Sequence, residues 1–121
     1  MKSSILIVED EVLIREMLKE IFLPEFGEVY TADNGESGLR QYMKHKPSLV
    51  ITDIKMKKMD GLTMIERIQE INLDQRFIVI TAYSDEDHLL RVNELKISHY
   101  LIKPIDCRVL LEMSRELVQH A

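Results

Sequence analysis

The feature that most limits what this chain can fold into is an alternation repeated five times. A short run of β-branched and apolar residues comes first, and a longer stretch with apolar residues at helical spacing follows. Residues 5–8 ("ILIV") read as a buried strand, after which Leu13, Ile14, Met17, Leu18, Ile21 and Phe22 recur at helical spacing as far as Pro24 and Gly27. Residues 28–32 ("EVYTA") form a second strand, and Asn34-Gly35 opens a helix carried by Leu39, Tyr42 and Met43. Residues 48–53 are the third strand, followed by Leu62, Ile65, Ile68 and Ile71 at three-residue spacing. "FIVIT" at residues 77–81 is the fourth, and Ser84 with Asp87 resembles a capping box for a helix running to about Leu95. "HYLI" at residues 99–102 is the fifth, and Val109, Leu110, Met113 and Leu117 mark a last helix after Pro104. Strands alternating with helices predict a doubly wound α/β fold, a parallel sheet covered on both faces. With 121 residues and no repeat, long linker or low-complexity stretch, the chain reads as one domain, 1–121.

Ligand chemistry in such a sheet belongs outside the carboxyl ends of its strands. The first strand delivers Glu9 and Asp10 there, the third Asp53, the fourth Thr81 and the fifth Lys103. A lone acid at a strand end is most often a helix cap or a solvated turn, but acids converging from two strands are not explained that way. Such carboxylates repel one another, so without a counter-charge at least one pKa must rise and their titrations become coupled. Oxygen donors with no His or Cys among them suit a hard cation, Mg²⁺ above all, which keeps several waters and takes one or two carboxylates plus phosphate oxygens. Lys103 can pair with Asp53 at rest and with phosphoryl oxygens later, and the Thr81 hydroxyl can bond a phosphoryl oxygen. As a lone residue, Thr81 is better explained as an ordinary strand-end β-branched residue. A carboxylate nucleophile, a metal, a lysine and a hydroxyl are the parts phosphoryl transfer needs. A strained or cis Lys103–Pro104 bond would help to aim the lysine.

"ILIVEDE", "LVITDIKMKKMDG", "VITAY" and "YLIKPI" together resemble the response-regulator receiver domain of two-component signalling. Each motif alone is weak, but the four occur in order and cover nearly the whole chain. The resemblance implies a flavodoxin-like five-stranded parallel sheet of order 2-1-3-4-5. It implies Asp53 as phosphoacceptor, with Asp10, Asp53 and the backbone carbonyl of Lys55 as Mg²⁺ ligands and Glu9 acting on the metal through water. Mn²⁺ is an alternative ion. Thr81 and Lys103 match the phosphoryl-binding hydroxyl and lysine, and Tyr100 the aromatic that follows the threonine when the domain switches, although a half-buried strand aromatic explains it equally well. Lys55 and Tyr83 would flank the path of attacking water and so tune the lifetime of the phosphorylated state. The implied partners are a sensor histidine kinase or phosphotransfer protein and a downstream protein or output domain. The latter would meet the face formed by the fourth helix, fifth strand and fifth helix. Such a domain assists its own phosphorylation and dephosphorylation and is not a multiple-turnover enzyme.

Two departures from the family pattern stand out. Lys57 replaces a frequent proline, removing a fixed φ from the loop after Asp53, and Lys96-Ile97 replaces a small Gly-Ala pair. A flavodoxin-like electron carrier would need phosphate-binding donors in the first βα loop, where Glu9-Asp10-Glu11 stands instead. A phosphatase with an aspartyl nucleophile would often carry a second acid at position 55, which is Lys55. A receiver that works without phosphorylation fits poorly with the intact set of acids, threonine and lysine. A net charge of −5 excludes non-specific nucleic-acid binding by this domain as an expectation. One cysteine, Cys107, allows no internal disulfide and fits a reducing compartment, and the apolar run at residues 5–8 is too short for a signal peptide or a membrane span. A cytoplasmic location, with output through protein contact or through further domains of a longer chain, is therefore expected.

Overall fold

The computed structural model of the chain describes residues 3–82, 86–97 and 99–119. All five expected runs form strands. The elements are β1 (Ser4–Val8), α1 (Val12–Phe22), β2 (Glu28–Ala32), α2 (Gly35–His45), β3 (Leu49–Asp53), α3 (Gly61–Ile71), β4 (Arg76–Thr81), α4 (Glu86–Glu94), β5 (Tyr100–Ile102) and α5 (Cys107–Gln119). Every pairing is parallel and the order is β2-β1-β3-β4-β5. The register sets Val8 beside Thr52 and Ala32, Asp53 beside Ile80, and Thr81 beside Ile102. The carboxyl ends of β1, β3, β4 and β5 thus reach one edge of the sheet, as the alternating pattern requires.

The two-residue period of the strands divides the core. Leu6, Val8, Val50 and Val79 face a layer containing Tyr42, Leu62, Ile65 and Val92, from α2, α3 and α4. Ile5, Ile7, Ile51 and Ile78 face Leu18, Phe22 and Leu110, from α1 and α5. Burial of each such side chain contributes about 1.5–3 kcal/mol before conformational entropy is set against it. α2 and α3 begin at side-chain caps. Asn34 Oδ1 accepts the Ser37 N–H at 2.8 Å, and Asp60 Oδ1 accepts the Thr63 N–H at 2.7 Å.

Helical spacing located the elements but overstated what some of them bury. On α1, Leu18 and Phe22 are buried, whereas Leu13 is 85% exposed and Met17 also reaches solvent. Met43, Ile71 and Val109 likewise lie outward on their helices. An apolar residue at the flank of a helical stripe satisfies the period without reaching the sheet. Ser84, the expected cap of α4, lies outside the described residues, as does Tyr83. No helix among the described residues is long and apolar enough to cross a membrane.

Candidate functional site

Asp53 ends β3, a strand buried along its whole length and flanked by β1 and β4. Only 8% of the residue is exposed. Its Oδ1 accepts the Ile54 N–H at 2.7 Å, and its Oδ2 lies 2.9 Å from Lys103 Nζ. Its backbone is held as firmly. Thr52 Oγ1 donates to the Asp53 carbonyl at 2.8 Å, and a Cβ on Gly61 would lie 2.0 Å from that same oxygen. Position 61 therefore admits no side chain unless the acceptor strand shifts. The loop between β3 and α3 closes back on its origin, because the Gly61 N–H donates to the Ile54 carbonyl at 2.8 Å. A second tie runs from the Gly35 N–H to the Met59 carbonyl at 3.0 Å.

Glu9 and Asp10 follow β1. One carboxylate oxygen from each of Glu9, Asp10 and Asp53 can be chosen so that all three lie within 4.8 Å of one another. Glu9 is buried, and its placement is fixed from several directions. Its N–H donates to the Ala32 carbonyl at 3.0 Å, its own carbonyl accepts from Arg15 at 2.8 Å, and its Oε2 accepts the Glu11 N–H at 3.1 Å. Burial pushes the Glu9 carboxyl up to about 7, with the Asp53 charge and the shared contact with Asp10 adding to it. The Glu11 N–H and the Lys103 charge oppose that rise without cancelling it. The rise at Glu9 thus occurs with a counter-charge in place, because burial and not mutual repulsion is its largest cause.

Lys103 is the counter-charge. Its ammonium lies 2.9 Å from Asp53, 3.3 Å from Glu9 and 3.7 Å from Glu11. Burial pulls its pKa down, but the hydrogen bond and charge of Asp53, then of Glu9, outweigh this and hold it above the usual lysine range. Its backbone N–H donates to the Thr81 carbonyl at 2.8 Å, and the bond to Pro104 is cis. Thr81 is buried at the end of β4, while Tyr100 on β5 is 43% exposed. The Lys55 side chain is exposed on the loop directly after Asp53.

Five of the residues singled out from sequence, Glu9, Asp10, Asp53, Thr81 and Lys103, therefore meet at one edge. Tyr83 cannot be placed among the described residues. The three acids offer only oxygen, so they fit a hard divalent ion and not a soft one. Sequence reasoning missed Arg15, Thr52 and Gly61, which hold the site from behind. Gly61 had a visible signal in the Asp60-Gly61 pair, but that pair reads as ordinary turn chemistry.

The receiver-domain model of response regulators matches residues 5–115. The chain is 36% identical over 106 residues to the sporulation initiation phosphotransferase F of Bacillus subtilis, spanning 88% of this chain and 86% of that protein. It is 32% identical over 113 residues to the chemotaxis protein CheY of the same organism, spanning 93% and 94%. Among solved structures it resembles the CheX-CheY-BeF3-Mg+2 complex from Borrelia burgdorferi, with a TM-score of 0.86, 30% identity, and coverage of 95% of this chain and 88% of that one. Other curated matches are longer regulatory proteins, of which it spans less than half.

Proposed function

The chain belongs to the response-regulator receiver family of two-component signalling, and from that premise we propose that Asp53 accepts a phosphoryl group from the phosphohistidine of a sensor kinase or phosphotransfer protein. The observation that carries this reading is the set around one buried strand tip, Asp53 with Lys103 at 2.9 Å and two further acids close by. An Asp53 oxygen attacks phosphorus, the phosphorus–nitrogen bond breaks, and the electron pair leaves with the imidazole, which takes up a proton. The rigid strand supplies in-line positioning, the larger part of what such a transfer asks of a protein. A bound Mg²⁺, or Mn²⁺ in its place, would supply charge neutralisation, held by Asp10, Asp53 and the Lys55 carbonyl with Glu9 acting through water. Lys103 exchanges its carboxylate partner for phosphoryl oxygens, and the Thr81 hydroxyl takes another of them.

Drawing Thr81 toward the phosphoryl group leaves room for Tyr100 to turn inward, which remodels the surface of α4, β5 and α5 for a downstream protein or output domain. Tyr100 suits either position because its ring is apolar and its tip polar. Lys55 and Tyr83 would set how long the acyl phosphate lasts, and Tyr83→Ala should shorten its lifetime several-fold, by about tenfold if about 1.4 kcal/mol of barrier is lost. The domain acts as a switch and not as a multiple-turnover enzyme, and its setting is the cytoplasm.

The test is intact mass after incubation with acetyl phosphate and Mg²⁺. Wild type should gain one phosphoryl group and Asp53→Asn none. Phosphorylation of Asp53→Asn at the wild-type rate would remove Asp53 from its role.

A further inference from the structure

The loop between β3 and α3 carries three lysines, Lys55, Lys57 and Lys58, all exposed. None of the three ammonium groups makes a hydrogen bond or an ion pair among the described residues, although the whole chain carries a net charge of −5. Uncompensated cations on a flexible loop would be an ordinary solvated surface, but this loop is not loose. Gly61 and Gly35 pin it at its end and near it, the Met59 N–H donates to the Lys57 carbonyl at 2.8 Å, and Lys58 is held at a left-handed φ of 68°. A lysine accepts that conformation only at a cost of about 1–2 kcal/mol, so the local structure fixes the backbone from which the charges project.

Where they stand matters because both ends of the loop touch Asp53. Lys57 is four residues after Asp53 and four before Gly61, whose backbone lies against the Asp53 carbonyl. At about 3.8 Å per residue its Cα is at most about 15 Å from either, and a pinned loop brings it closer. That is within one to two Debye lengths, at roughly 8–10 Å each in ordinary buffer. Among the described residues the mouth of the site is mainly acidic: Glu9, Glu11 and Asp53 lie within 3.7 Å of the Lys103 ammonium, and Asp10 groups with Glu9 and Asp53. A bound Mg²⁺ and Lys103 would offset much of that charge, and cations on the rim would oppose the repulsion that remains for an anion approaching Asp53. Asp60, the acid of the same loop, is already engaged by the Thr63 N–H and by Arg91 at 3.5 Å.

We propose that Lys57 and Lys58 are an electrostatic guide for anionic phosphodonors, making this receiver discriminate among donors by the charge they carry. The proposal rests on Asp53 being the acceptor and adds a rim that acts on approach and not on the chemical step. Steering of this kind raises the encounter rate, falls with ionic strength and leaves the bound state little changed.

The experiment compares two small donors under saturating Mg²⁺: acetyl phosphate, a dianion at neutral pH, and phosphoramidate, which carries one negative charge less. Four proteins are used: wild type, Lys57→Arg/Lys58→Arg, Lys57→Gln/Lys58→Asn and Lys57→Glu/Lys58→Glu. Asn suits the left-handed φ at 58, and the arginine pair keeps the charge. At low salt the apparent second-order rate with acetyl phosphate should fall in the order of loop charge, by about three- to tenfold from wild type to the glutamate pair. The arginine pair should match wild type. The drop should be smaller with phosphoramidate and should vanish at high salt, with the rate at saturating donor unchanged throughout. Equal rates for all four proteins at low salt would overturn the proposal, and so would a loss that persists at high salt and is the same for both donors. If wild type takes up no phosphoryl group from either donor, the reading of Asp53 itself fails, and the guide with it.

Discussion

β3 and β5 each deliver a charge to the same cluster, yet they are built in opposite ways. β3 has neighbours on both sides and is buried at all five residues, and the helix after it starts at an Asp60 cap and buries five residues, Leu62 and Ile65 among them. β5 is three residues long, pairs only with β4, and leaves Tyr100 and Ile102 about half exposed. The helix before it, α4, is tied to α3 by polar links, Arg91 to Asp60 and Glu66 and the Gln69 side chain to the Leu95 carbonyl. The carboxylate thus sits on the half of the molecule with no room to adjust, and the ammonium on the half that has some. The 2.9 Å contact between Asp53 and Lys103 joins a fixed part to a yielding one, the arrangement expected if breaking that contact is to be felt at a surface.

The contrast breaks most easily in the core. Ile51→Ala in β3 should cost about 3–4 kcal/mol, because the fully enclosed site cannot collapse around the cavity. Ile102→Ala in β5 should cost under about 1 kcal/mol. Comparable losses in urea unfolding would mean that β5 is as integral as β3. Next in size is the electrostatic strain at the fixed end. The folded value of the Glu9 carboxyl, about 7, lies above its ordinary value of 4.5. Its contribution to stability is therefore full below about pH 4.5 and is lost as pH rises through about 7, up to roughly 3 kcal/mol. In chelator the melting temperature of wild type should fall over that window, and Glu9→Gln should flatten the fall. Parallel curves for the two proteins would place the strain elsewhere.

Backbone substitutions sharpen the comparison from both sides. Gly61→Ala should lose about 2 kcal/mol, since its Cβ would strike the Asp53 carbonyl. Lys96→Gly, at a left-handed φ of 58° beyond α4, should gain about 1 kcal/mol. Thermal melts of the two variants should move in opposite directions. The smallest effect is at the α4 tether. Arg91→Gln should cost under about 1 kcal/mol globally, as a partly exposed ion pair does, yet speed amide exchange in α4 more than in α3. Equal acceleration in both helices would show that Arg91 supports the core and does not merely moor α4.

The strand frame was legible because a parallel sheet covered on both faces leaves its strands as apolar runs, and β2 fell at residues 28–32 as read. The strand order came from family resemblance, since alternation fixes neighbours only loosely. Asp53, Glu9 and Lys103 were legible for a topological reason: chemistry in such a sheet collects where strands end. What escaped were contacts made by groups whose type has many ordinary uses. Arg15 could have been any solvated helix cation, and nothing local says that it reaches the Glu9 carbonyl. Gly61 read as a turn glycine because the obstacle to a side chain there lies across space, on Asp53. Leu13 and Met43 kept the helical period yet point outward, because period reports direction around an axis and not distance to the sheet.

The hydrogen bond from the Lys103 N–H to the Thr81 carbonyl carries a consequence for how this protein can change over time. It joins the main chains at the ends of β4 and β5, so that a tilt of one strand end is passed to the other. Among descendants of this sequence, a replacement beside one that tilts its strand end must be answered beside the other or be eliminated. Substitutions flanking the two positions should therefore accumulate in pairs, while the exposed flank of α4 diverges freely.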